Sequence, residues 1–340
     1  MTGGRTAGIT AIAVTSVLWG TTGTAATFAP HAGPLAIGAA ALGIGGLLQA
    51  AIAVPALRRA RAGLRIHRGV VAVGAAAVAV YPLAFYGAMH LAGVAIGSVV
   101  SLASAPLASG LLEWTVERRP LSRWWLAAAA LGVVGSALLC SSKIVQPSDD
   151  SGHTVIGVLL GLAAGASYAT YSWAAQRLMR RDIERAAAMG AVFGTGGALL
   201  MPILALTGAP LVATTDAYLV AAYMALIPMF LGYLLFGYGL SHVPASTATT
   251  ITLVEPAVAA VLAVAIVGER LALTGWIGFG AIAVALVVLA VAPANLPAGS
   301  AARQGLTELV RDVERDEATP QYRLEITPLV EQGNHRRAEP

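Results

Sequence analysis

Long apolar runs separated by short polar turns occupy most of this chain. A helix rises 1.5 Å per residue, so roughly 20 apolar residues in a row cross about 30 Å of hydrocarbon. Ten runs fit that template, at 7–27, 34–57, 69–89, 93–116, 122–142, 154–178, 187–207, 217–240, 244–267 and 272–292. They are rich in Ala, Gly, Leu and Val and lack the two-residue alternation of a barrel strand. Every backbone amide in lipid needs a partner, so the runs are expected to be helices. The predicted fold class is an all-α polytopic membrane protein with ten transmembrane helices. The first run is too long for the apolar region of a secretory signal and is read as helix one.

The polar turns carry an internal repeat. Glu117-Arg118-Arg119-Pro120-Leu121-Ser122-Arg123-Trp124 returns as Glu269-Arg270-Leu271-Ala272-Leu273-Thr274-Gly275-Trp276, a shift of 152 positions (117 to 269, 124 to 276). Without gaps the same shift pairs Tyr81 with Tyr233, Tyr86 with Tyr238, Gly87 with Gly239 and His90 with His242. Two five-helix repeats are expected, at 7–142 and 154–292, joined by a polar extracytoplasmic linker at 143–153. An odd helix number makes the second an inverted copy of the first. The charged remainder, 293–340, is expected to be a cytoplasmic tail. Leu306, Leu309, Val310 and Val313 give it a short amphipathic helix near 303–316, followed by disorder.

Composition supports the membrane reading: 57% of residues are hydrophobic and 11% charged, with a mean hydropathy of +0.75, too little polar surface for a water-soluble globule. The arginines fix an orientation. With the amino terminus inside, Arg5, Arg58, Arg59, Arg61, Arg65, Arg68, Arg118, Arg119, Arg123, Arg177, Arg180, Arg181 and Arg185 lie on the cytoplasmic side, leaving Lys143 and Arg270 outside. Both termini are then cytoplasmic, in the cell membrane. The net charge of +4 reflects contact with anionic inner-leaflet lipid and calls for no nucleic-acid partner. Cys140 is the single cysteine, so no intrachain disulfide or cysteine-based metal site is expected. Gly38, Gly43, Gly45 and Gly46, and the stripe Gly157, Gly161, Gly165, provide packing surface, within the bundle or between two copies in a homodimer.

Glu255 stands out among the ionisable residues, the twelfth residue of its run and near the midplane. A charge at a helix centre costs at least about 2.5 kcal/mol, so the carboxyl is expected to face a cavity. Pro256 cannot donate a backbone hydrogen bond and should free the carbonyl of Thr252, whose hydroxyl is expected on the same face as Glu255 one turn away. Trp19, Tyr81, Tyr168 and Tyr171 lie deep enough to line a cavity, and Gln49 follows the same logic. Tyr86 and Tyr238 read as residues of the interfacial belt. Glu113, near the end of its run, is expected to reach Arg118 or Arg119 and to have no further role. The chain carries no HExxH, GxSxG or Walker glycine loop and no paired intramembrane carboxylates, so an enzyme is not expected, nor any cofactor or metal.

The run Thr252-Leu253-Val254-Glu255-Pro256-Ala257-Val258-Ala259-Ala260, its close in Gly268-Glu269-Arg270-Leu271, and the ten helices in two inverted halves resemble the drug/metabolite transporter superfamily, EamA-like permease branch, over about residues 7–292. The likeness is to the amino-acid and threonine/homoserine exporters in particular. It implies a cell-membrane carrier that moves small metabolites, commonly outward, through a central cavity lined by both halves. The first half departs from the pattern: Ala103 stands at the position of Glu255, with a displaced Ala105-Pro106, and Val116 stands where the second half has Gly268. The expected function is secondary transport of a small polar metabolite, an amino acid or related amine, by alternating access with proton coupling open, and with Glu255, Thr252, Pro256, Trp19, Gln49, Tyr81, Tyr168 and Tyr171 in the translocation site. The alternatives are an uptake permease of the same fold and a membrane scaffold or sensor acting through the tail.

Overall fold

The computed structural model describes residues 2–26, 28–92, 94–141, 151–262, 265 and 272–291. The linker at 143–150, the Gly268–Leu271 motif and the tail with its amphipathic pattern lie outside them. Met1–Ala292 forms one compact unit, and its described residues contain helices and turns but no strand.

In chain order the helices are α1 (Thr2–Gly20), α2 (Thr22–Ala26), α3 (Pro34–Ile52), α4 (Val54–Arg59), α5 (Arg61–Ile66), α6 (Arg68–Ala92), α7 (Val94–Thr115), α8 (Arg123–Ser141), α9 (Ser151–Met179), α10 (Arg185–Thr207), α11 (Thr215–Met224), α12 (Gly232–Leu240), α13 (Ala245–Ile251), α14 (Val254–Leu262) and α15 (Leu273–Val291). Six stretches are long and apolar enough to cross a membrane: Gly3–Ala26, Pro34–Ile52, Arg68–Ala92, Val155–Met179, Arg185–Thr207 and Thr215–Leu240. Shorter apolar helices cover Arg123–Leu138 and Leu273–Leu289. This is the build of a polytopic membrane protein, and large apolar side chains such as Leu206, Ile66, Leu273 and Val212 point outward, where lipid replaces water as the solvent.

Four runs read as continuous are interrupted among the described residues, the first at Thr21 between α1 and α2 and the second at Ala53 between α3 and α4. A π-helical segment, Ala225–Leu231, joins α11 to α12 and contains Pro228, whose missing N–H and ring bulk disturb the regular ladder. The ninth run breaks at Thr252–Leu253, between α13 and α14. The carbonyl of Thr252 that Pro256 leaves without its usual donor accepts from the N–H of Glu255 at 3.0 Å, closing a tighter turn. Elsewhere the helices end as the sequence suggests. Ser122 caps α8 by accepting from the N–H of Trp125 at 3.1 Å, and Thr214 caps α11 by accepting from that of Ala217 at 3.2 Å.

The principal pairs are α6 with α9, α3 with α10, α8 with α15, α7 with α9, α6 with α10, α1 with α12 and α6 with α7, and α1 also packs on α14. Glycines set the closest of these. A side chain on Gly46 would meet the carbonyl of Phe193, and one on Gly197 would sit 2.6 Å from the carbonyl of Gly43, so α3 and α10 touch backbone to backbone. The Gly157–Gly161–Gly165 stripe faces Ala92, Val100 and Ser104, within the bundle. The core between the helices is aromatic: Trp19 lies 4.8 Å from Tyr233, Phe193 4.4 Å from Tyr233 and Tyr168 5.2 Å from Tyr171, ring centre to ring centre.

Gly46→Ala is expected to destabilise the protein by about 1–3 kcal/mol, the cost of overpacking a tight contact. Gly280→Ala, where an added methyl meets nothing within 4 Å, should be neutral. Thermal unfolding of the detergent-solubilised protein checks both; equal melting temperatures would contradict the backbone contact.

Candidate functional site

One cleft gathers several polar aromatic residues and the mid-span acid Glu255. Its walls include Trp19 of α1, Thr22 of α2, Gly38 of α3, Tyr81 and Tyr86 of α6, Met229 of the π segment, Tyr233 of α12 and Glu255 of α14. The helix break places Glu255 in the first turn of α14, where unpaired backbone N–H groups and the helix dipole favour a carboxylate. Gly20 lets α1 approach closely enough that a side chain there would lie 3.0 Å from the carbonyl of Glu255. Trp19 is fixed beside the acid, its indole N–H donating to the carbonyl of Pro228 at 2.9 Å. Thr22 donates to the carbonyl of Trp19 at 2.7 Å.

The polar groups divide into committed and free. Tyr171 and Tyr233 share a hydroxyl contact of 2.7 Å. Tyr168 donates to the Thr252 hydroxyl at 2.9 Å, and that hydroxyl donates to the carbonyl of Thr249 at 2.9 Å. The carboxyl of Glu255 and the hydroxyls of Tyr81 and Tyr86 make no hydrogen bond among the described residues, and all three residues line the cleft. The open space amounts to about 20 Å³, room for about one water molecule. A larger solute fits only when the walls separate.

The structure therefore rearranges the residues singled out from sequence. Glu255, Trp19 and Tyr81 meet at the cleft. Thr252, Tyr168 and Tyr171 are buried with their hydroxyls engaged and are not among the cleft walls. Pro256 is buried next to the acid. Gln49 is not a cleft residue: it is 2% exposed on α3, the helix that packs on α10, and its amide nitrogen and oxygen have no hydrogen-bond partner. Tyr86, read as a belt residue, is a cleft wall that packs over Gly38. Tyr233 and Thr22 were also not singled out. The pairing of Tyr81 with Tyr233 under the 152-residue shift was the available signal for Tyr233.

A second polar cluster lies at the arginine-rich end. Glu113 is buried and accepts from the backbone N–H of Ser246 at 2.9 Å and its hydroxyl at 2.8 Å; it does not reach outward to Arg118 or Arg119, because the start of α13 offers two donors inside the bundle. Glu117 accepts from the Trp173 indole at 3.0 Å and from Arg177, with Arg180 at 3.6 Å. The Gln176 amide donates to the carbonyls of Leu240 and Val243 at 3.0 and 2.6 Å, and its oxygen accepts from Arg180 at 2.7 Å and the N–H of Ala245 at 3.1 Å. Together they tie the ends of α7 and α9 to the α12–α13 turn. Burial pushes the Glu117 carboxyl up, but the hydrogen bonds from Trp173 and Arg177 and the charges of Arg177 and Arg180 outweigh it and hold it below the ordinary carboxylate value.

The sequence comparisons place this arrangement. Residues 155–291 match the EamA-like transporter family, and an uncharacterized transporter of Bacillus subtilis, YwfM, is 34% identical over 293 residues, spanning 86% of this chain and 96% of that protein. The chain belongs to the EamA-like transporter family. The threonine/homoserine exporter RhtA of Escherichia coli K12 is 28% identical over 211 residues, 59% of this chain and 68% of that one. A solved crystal structure superposes with a TM-score of 0.67 at 20% identity, over 82% of this chain and 95% of its own, which shows a shared fold. This EamA-like protein is thus a multi-pass membrane transporter and not an enzyme.

Because folding lowers the Glu117 pKa, the stability it contributes is full above the ordinary carboxylate value, about 4.3, and is lost as pH falls through the lowered one. Glu117→Gln is expected to lower stability by about 1.5–3 kcal/mol at neutral pH and to converge with wild type in acid. Melting temperature against pH checks this; a gap that persists unchanged below pH about 3 would contradict it.

Proposed function

We propose that the protein is a secondary transporter of the cell membrane that moves a small polar metabolite, an amino acid or a related amine, by alternating access, with export as its direction. The observation that carries the reading is the Glu255 carboxyl at a helix break, facing a cleft beside the uncommitted hydroxyls of Tyr81 and Tyr86. A discontinuous helix exposes backbone dipoles at mid-depth, and transporters of several folds use such breaks to hold solutes. The carboxylate suits an ammonium group, and the ring faces of Trp19, Tyr81 and Tyr233 suit its cation or its carbon skeleton. The substrate named for RhtA is consistent with this choice.

The contact pattern supports two inverted five-helix repeats, 7–142 and 154–292, joined by the linker 143–153 and followed by a cytoplasmic tail at 293–340. If helix runs are numbered one to ten, exchanging each run with the one five later carries most of the principal pairs onto pairs that also pack, the contact of α6 with α7 being the exception. The pairs α3 with α10 and α8 with α15 map onto themselves. The pair α6 with α9 exchanges with α12 and α1, and α7 with α9 exchanges with α14 and α1. With the arginine-rich end in the cytoplasm, as positive charge in short loops dictates, the cleft lies nearer the outside and the Glu117 cluster closes the inside. Proton antiport follows if Glu255 gives up its proton as an ammonium group replaces it.

Reconstituted in proteoliposomes and tested with labelled threonine and tyramine, Glu255→Gln is expected to reduce uptake at least tenfold and to abolish its pH dependence. Transport with unchanged rate and unchanged pH profile would remove Glu255 from the mechanism.

A further inference from the structure

A pocket of about 440 Å³ opens at the arginine-rich end, apart from the cleft. Four separate segments build it: Arg119 from the α7–α8 loop, Gln176 and Arg180 from the end of α9, Arg185 from the start of α10, and Ser241 to Pro244 from the α12–α13 turn. Three guanidinium groups line it and no carboxylate does. Two of them are held in place, Arg180 by the Gln176 oxygen at 2.7 Å and Arg185 over the Tyr238 ring at 5.1 Å. Arg119 is exposed at the rim. Arg180 lies below its ordinary guanidinium value, through burial first and the Arg119 charge second. Glu117 meets Arg180 at 3.6 Å, but it is already engaged with Trp173 and Arg177 and is not a wall of the pocket.

Charge asymmetry between membrane faces accounts for arginines at this end, and Arg58, which is not a wall of this pocket, serves that purpose. It does not account for three of them converging from different segments on one concave space, against the repulsion that close guanidinium groups exert. A tetrahedral anion with several acceptor oxygens resolves that repulsion, because guanidinium forks match its geometry and charge. We propose that this pocket binds a phosphate group, supplied by an anionic lipid headgroup or by a soluble phosphate, and thereby joins the α7–α8 loop, α9, α10 and the α12–α13 turn. The site stands independently of the solute carried in the cleft.

The purified full-length protein in neutral detergent, at constant ionic strength, provides the test. One arm titrates inorganic phosphate against chloride; the other adds dihexanoyl phosphatidylglycerol against dihexanoyl phosphatidylcholine. The expected result is a saturable rise in melting temperature of several degrees in at least one arm, lost in the Arg119→Gln/Arg185→Gln double variant and kept in Arg58→Gln. A response confined to the lipid assigns the headgroup as the source, and a response to inorganic phosphate assigns a soluble ligand; both support the site. No response in either arm, or an equal response in the double variant, overturns it. Should the double variant not fold, Ser241→Asp, which sets a carboxylate on the exposed turn, is expected to abolish the response, and its full retention there overturns the proposal.

Discussion

Backbone-to-backbone contact at glycine is the constraint on which this bundle depends. In lipid the surroundings are as apolar as the helix surfaces, so burying leucine gains little and association rests on close packing. The sequence supplies glycine and alanine where α3 meets α10 and where α9 meets α6 and α7, and at those places a methyl group would collide with carbonyls or backbone atoms. Close approach also fixes helix positions laterally. That fixity allows large rings to fill the centre, Trp19, Tyr168, Tyr171, Phe193, Tyr233 and Phe236, each within about 6 Å of a neighbour.

The helix break at Thr252–Leu253 is the second organising feature, because it changes what an acid at this depth means. In a continuous helix the Glu255 carboxyl would meet only side chains. At the first turn of α14 it sits at a positive dipole end beside Gly20 of α1, which brings Trp19 alongside. The same break separates Thr252 from Glu255. Its hydroxyl becomes a strut to Tyr168 and the carbonyl of Thr249, holding the end of α13 against α9.

Helix positions were legible in the sequence because hydrophobic run length is nearly sufficient in lipid. Glu255 was legible because a mid-run carboxylate is costly anywhere else. The partners of the Thr252 hydroxyl were not legible, because periodicity assumes an unbroken helix and a proline one turn on gives a kink or a break with equal economy. Depth alone does not tell which way a residue of α3 faces, and Gln49 is buried away from the walls of the cleft. Distance from the run's end alone marks Tyr86 as a belt residue, but Gly38 opposite makes room for its ring at the cleft. Glu113 could not be read at all from its own helix, since its two donors come from Ser246, far along the chain.

The two ends of the bundle are chemically unlike. At the cleft the carboxyl of Glu255 and the hydroxyls of Tyr81 and Tyr86 hold no partner among the described residues. At the arginine-rich end Glu113, Glu117 and Gln176 are engaged by the backbone and by neighbouring side chains. Free groups beside a nearly closed cleft are stable only if a solute or water meets them on opening. Engaged groups at the other end resist opening, since charged and buried hydrogen bonds cost about 1–3 kcal/mol each to break unsatisfied. A carrier that alternates must bring these two costs close to balance. The asymmetry between a hungry cleft and a tied opposite end is therefore what a bound solute would have to offset, by meeting Glu255 and the two tyrosines firmly enough that untying the α12–α13 turn becomes accessible.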